Sequence, residues 1–113
     1  MKLTEKQFVE ALTSGESAFV LGVYRNSDAE ITEELDKMPK WHADKLPRCS
    51  AKLDGSTIHF SNGWTMRLNV GRKKTYHKLI NDAGMEFVAR KIPIVMDTGE
   101  ELTRDYVVFY IPN

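Results

Sequence analysis

The residues best suited to chemistry gather at Gly71-Arg72-Lys73-Lys74-Thr75-Tyr76-His77-Lys78, a cationic run in a chain of zero net charge. Guanidinium and ammonium groups at this density bind phosphates or carboxylates through charge-assisted hydrogen bonds. At helical spacing Tyr76, Leu79, Ile80 and Ala83 share one face, and Lys73, Lys74, His77 and Lys78 share the other. Gly84 supplies the residue expected just past a helix end. The pattern predicts a helix starting after Gly71, whose first amides would add to an anion site. Cations opening a helix oppose its dipole, and a nearby anion would relieve that conflict.

Lys52 and Arg67 can extend this site, with His59 as a polar partner. The predicted binding set is therefore Lys52, His59, Arg67, Arg72, Lys73, Lys74, His77 and Lys78. The same residues admit an enzymatic reading. A metal-independent nuclease needs a general base, a general acid and cations around a phosphate, and His59, His77, Arg67 and Lys74 contain those groups. A solvated helix face balancing acidic residues elsewhere is the plain alternative.

Other motifs are absent. His42, His59, His77 and Cys49 show no metal-ligand spacing, so neither a metal nor a cofactor is expected. Gly71-Arg72-Lys73-Lys74 lacks the upstream glycine and the following Ser or Thr of a phosphate-binding loop. The carboxylates of Asp28, Glu30, Glu33, Glu34 and Asp36 read as a solvated helix face, without the glycine turn of a calcium loop.

Charge is unevenly distributed. Residues 1–40 carry five cations and eight anions, residues 41–80 eight and two, and residues 81–113 three and six. The middle third is strongly positive between two acidic thirds, which points to an anionic surface as partner: RNA, DNA or an acidic protein face. The single cysteine excludes an internal disulfide and fits a reducing cytosol. No stretch approaches the roughly 18 apolar residues of a membrane span, and the first residues do not read as a signal peptide. A cytoplasmic protein without a membrane role is expected.

The elements that must position these residues are partly written in local signals. Thr4 with Gln7 and Ser27 with Glu30 are capping boxes that open two helices, the first ended by Gly15 and the second by Pro39. Residues 39–48 suggest one short helical turn with Trp41 and Leu46 docked on the core. Ala18–Tyr24 and Tyr106–Ile111 are apolar on both faces, as strands covered from both sides are.

A meander of three strands follows residue 48. An Asp54-Gly55 turn would set Ala51 opposite Ile58 and Cys49 opposite Phe60. A three-residue loop, Ser61-Asn62-Gly63, with Gly63 left-handed, pairs Ile58 with Met66 and Phe60 with Trp64 and asks little of the Ser61 side chain. Lys52, His59, Arg67 and Asn69 then share its outer face. Residues 87–96 and 102–111 read as a long hairpin, although Pro93 cannot donate to a ladder.

The order α-β-α-β-β-β-α-β-β predicts a single α+β domain over residues 1–113, with two or three helices on a mostly antiparallel sheet of five to six strands. One core should take in Phe8, Leu12, Val20, Leu35, Ile58, Phe60, Met66, Leu68, Ile80, Val108 and Tyr110. The function that follows is a small non-catalytic binding protein for nucleic acid or for a protein that handles it, with an inhibitor of host defence carried by a phage or mobile element among the candidates. The alternatives are the nuclease and a structural or oligomerising domain pairing through its C-terminal hairpin.

Overall fold

Thr4 opens the first helix as its sequence demands. Its Oγ1 accepts the Gln7 N–H at 3.1 Å, while Gln7 Oε1 accepts the Thr4 N–H at 2.9 Å. The helix, α1 (Glu5–Thr13), buries Phe8 and Leu12. Ser27 likewise caps α2 (Asp28–Asp36), which buries Ile31 and Leu35. Both belong to a computed structural model that describes residues 1–20, 27–69, 75–91, 94–102 and 106–112. Arg72, Lys73 and Lys74 therefore lie outside the described residues. A third helix, α3 (Lys40–Ala43), is a single turn.

The strands are β1 (Lys2–Leu3), β2 (Ser17–Val20), β3 (Arg48–Cys49), β4 (Ala51–Asp54), β5 (Thr57–Phe60), β6 (Thr65–Arg67), β7 (Tyr76–Ile80), β8 (Glu86–Lys91), β9 (Ile94–Val95), β10 (Glu101–Leu102) and β11 (Tyr106–Ile111). The fold is α+β, with every described strand pair antiparallel. The strands form two sheets rather than the one expected, in the orders β1-β7-β8-β11-β2-β3 and β10-β9-β6-β5-β4. The first sheet is the middle layer. Phe19, Val107 and Phe109 point to one side of it, toward Phe8, Leu12, Ile58, Phe60 and Met66 from α1 and the second sheet. Ala18, Val20, Val108 and Tyr110 point to the other, toward Ile31 and Leu35 of α2 and Ala43 of α3. Apolar residues on both faces of β2 and β11 are thereby accounted for. The expected single core is instead two hydrophobic clusters on the two faces of one sheet.

Four further corrections concern individual elements. Residues 76–80 form β7, not a helix, hydrogen-bonded between β1 and β8. Tyr76 and His77 are buried on opposite faces with the period of a strand. Ile80, expected in the core, is 54% exposed at the strand's end. Gly84 has φ +77° in the β7–β8 connection, where its N–H donates to Asn81 O at 2.9 Å.

The turn after β4 is centred on Gly55-Ser56, since Asp54 pairs with Thr57, Leu53 with Ile58 and Ala51 with Phe60. That register differs from the expected one by two residues, which leaves every side chain on the same face. The third correction is that Trp41 is 65% exposed, although Leu46 does pack on the α2 side of the sheet. The fourth is the long hairpin. β8 and β11 pair over six residues, but β9 leaves them and joins β6 and β10 in the second sheet. Residues 92 and 93, between β8 and β9, lie outside the described residues. The turn at 61–63 is as expected: Gly63 has φ +92°, Phe60 N–H donates to Trp64 O at 2.9 Å, and Ile58 pairs with Met66.

Candidate functional site

The expected binding residues that the structure describes do not form one patch. His77 and Lys78 are adjacent on a strand, so they face opposite sides of the first sheet. His77 is buried against α2, with Nδ1 2.8 Å from Asp28 Oδ2 and the Tyr106 ring edge-on at 5.8 Å. That approach to Asp28 has the distance of an ion pair but lies outside hydrogen-bond geometry. Lys78, on the α1 side, sits 3.6 Å from Glu86.

Lys52, His59 and Arg67 are exposed together on the outer face of the second sheet, as expected, with Lys52 directly across from His59. Asp54 stands beside Arg67 on the same face through Thr57, and Glu101 continues the Lys52-His59-Thr65 row through Val95, so the charges alternate in sign. His59 and His77, the two histidines of the nuclease reading, are separated by both sheets. No cluster of three or more His, Cys, Asp or Glu suited to a metal occurs among the described residues. The acidic helix is partly engaged: Asp36 Oδ1 accepts the Asp82 N–H at 2.7 Å. Cys49 is buried on β3.

A different segment brings cations and an aromatic ring together. Residues 37–48 contain Lys37, Lys40, Lys45 and Arg48 against the single carboxylate of Asp44. Pro39 precedes α3 and Pro47 precedes β3, and the intervening turn packs on the first sheet through Ala43 and Leu46. On that turn Trp41 projects into solvent, its ring stacked on His42 at 5.7 Å and 24°, with Lys45 Nζ 5.3 Å over its face. Asp44 lies beneath, 3.0 Å from Lys40 Nζ and 3.7 Å from Arg48 Nη2, and accepts the Tyr110 O–H at 3.1 Å. The hydrogen bond from Lys40 holds the Asp44 carboxyl below its ordinary range, and the same bond raises the Lys40 ammonium.

Beside this turn is a cleft of about 400 Å³, lined by Phe19, Val20, Met38, Leu46 and Trp64, with His42, Arg48 and Asn62 as its polar groups. Successive strand residues point to opposite faces. A cleft touching both Phe19 and Val20, and both Arg48 and Cys49, must therefore open at the edge of the first sheet, where β3 is only two residues long. Volume and apolar lining suit a small planar ligand. A second cleft, between α1 and the opposite edge of the sheet, carries Glu10 and Glu86 beside Lys78 and is less suited to an anion.

The chain matches no protein-family model, no curated protein and no solved structure. The sequence reading passed over the 37–48 turn because tryptophan is more often core than surface. The signal available was a tryptophan inside a basic run bracketed by two prolines.

Proposed function

We propose that this chain is a non-catalytic binding protein for single-stranded nucleic acid, engaged through the 37–48 turn. The observation that carries this reading is Trp41, a large aromatic side chain left 65% exposed with Lys45 over its ring, on a turn whose sequence also carries Lys40 and Arg48. Sequence-tolerant single-strand binding combines an aromatic stacking surface with cations that follow the phosphates, and each stacked base is worth about 1–3 kcal/mol by alanine substitution. The turn supplies both within one short segment. It overlaps the positive middle third of the chain, so the distribution of charge and the local geometry favour the same kind of partner.

Titration of fluorescently labelled oligothymidine over a range of salt concentrations tests this. Binding should weaken with salt, with a log–log slope of about −0.7 for each phosphate neutralised. Trp41→Ala should weaken it by about tenfold or more, and a duplex of the same length should bind less tightly because its bases are already stacked. Wild-type affinity in Trp41→Ala overturns the proposal. So does equal competition by polyglutamate, which carries charge but no bases and would point to an acidic protein face.

A further inference from the structure

We infer that the cleft beside α3 takes one unstacked base of the bound strand, with a preference for thymine or uracil; this inference rests on the single-strand reading. His42 joins the two places, since its ring stacks on Trp41 and also lines the cleft. A strand laid on Trp41 thus brings a neighbouring base to the cleft mouth. Inside, Phe19 and Trp64 have ring centroids 4.6 Å apart at 54° and present aromatic surface to a flat ligand. Lys40 and Lys45 around the turn complement the phosphates that must stay outside.

The polar groups set the choice of base. Asn62 Oδ1 accepts the Trp64 N–H at 3.0 Å, which leaves its Nδ2 hydrogens to donate. Arg48 is also purely a donor, its guanidinium held 5.6 Å over the Tyr110 ring, while the third polar group, His42, is the ring stacked on Trp41 at the cleft mouth. Two donor side chains suit a base edge with two carbonyl oxygens, as in thymine and uracil, better than adenine with its exocyclic amine.

The chain has two tryptophans, which lets the two contacts be read separately. Trp41→Phe keeps a stacking ring and leaves Trp64 as the sole tryptophan, excited selectively over the four tyrosines. In this variant oligothymidine should quench Trp64 emission, and oligothymidine should bind several-fold more tightly than oligodeoxyadenosine. Asn62→Asp keeps the acceptor that holds the Trp64 N–H and removes the donor. It should erase the thymine preference, read as a ratio so that the added charge cancels, while circular dichroism stays that of wild type. If oligothymidine binds with the expected salt and Trp41 dependence, yet Trp64 is silent and the two oligomers bind equally, the cleft inference is overturned and the single-strand reading stands. If no oligonucleotide binds, both are overturned.

Discussion

Arg90 and Tyr76 face each other across the β7–β8 ladder, and the guanidinium lies 4.9 Å over the phenol ring. Arg90 is fully buried between the two sheets. Its Nη1 donates to Arg67 O at 3.0 Å and its Nη2 to Leu68 O at 2.9 Å, so a side chain of the first sheet ties down the end of β6 in the second. Burial lowers the guanidinium from its ordinary value, opposed by Tyr76 and Glu5.

Buried charges can often be exchanged for apolar residues at little cost, but only when their partners are exchanged too. Here the acceptors are backbone carbonyls that no substitution removes. Arg90→Met should therefore destabilise by about 1–3 kcal/mol, the cost of leaving Arg67 O unmet, while Leu68 O keeps the Tyr76 O–H. Arg90→Lys should recover only part of this, because an ammonium cannot fork to two carbonyls. Urea unfolding monitored by circular dichroism gives both numbers.

Tyr76 predicts an alkaline transition. Its O–H lies 3.1 Å from Glu5 Oε1 and 3.3 Å from Leu68 O, and burial together with Glu5 pushes the phenol up to about 12 against the pull of Arg90. A raised acid favours its neutral form in the folded state. Its contribution is complete below the ordinary tyrosine value of about 10 and is lost as pH rises from there through the folded value. Stability should fall over that window in wild type and fall less in Tyr76→Phe. Ultraviolet titration should show the matching late-ionising phenol disappear in the variant, with Tyr106, also raised by burial, still above the ordinary range.

Which parts of this fold were legible follows from how local their causes are. The caps at Thr4 and Ser27 lie within three residues of their partners, and both helices start where expected. β2 and β11 announced themselves by being apolar on both faces. β7 did not, because Tyr76, Leu79 and Ile80 satisfy a helical period, while its strand partners include Lys2 and Leu3 at the far end of the sequence. The Gly55-Ser56 turn escaped because alternation repeats every two residues and cannot detect a shift of two. Lys52, His59 and Arg67 were correctly placed on one face by the same alternation. His77 and Lys78 were wrongly grouped because their grouping depended on the helix. Trp41 was hidden for a different reason: whether a tryptophan is buried depends on what the rest of the chain places over it.

Gly63 offers a stability test of the turn that was legible. At φ +92°, a Cβ there would be strained and would sit 3.1 Å from Asp97 Cβ. Gly63→Ala should cost on the order of 1 kcal/mol or more. The Ser61 side chain, expected to be dispensable, accepts the Ser50 N–H at 3.1 Å and joins the turn to the chain leading into β4. Ser61→Ala should therefore cost about 0.5–1.5 kcal/mol, the usual net worth of such a bond. Thermal unfolding of both variants checks the order, with Gly63→Ala the less stable or equal.

Asp44 gives the sharpest prediction for the binding surface, because it is the sole carboxylate in a turn with four cations. It neutralises part of their field through contacts at 3.0 Å to Lys40 and 3.7 Å to Arg48. Asp44→Asn keeps an oxygen for the Tyr110 O–H while removing the charge. Exposed ion pairs of this kind are worth only about 0–1 kcal/mol, so the thermal midpoint should hardly move. An anionic strand, however, would then meet Lys40 and Arg48 uncompensated. Affinity for oligothymidine at low salt should rise several-fold, and the slope of log affinity against log salt should steepen by about 0.7 for each added phosphate contact. The Asp44 carboxyl is held below its ordinary range, so acidification should mimic the variant only at a pH below that of a free aspartate. A variant that binds oligothymidine no better than wild type at low salt would place the strand elsewhere on the protein.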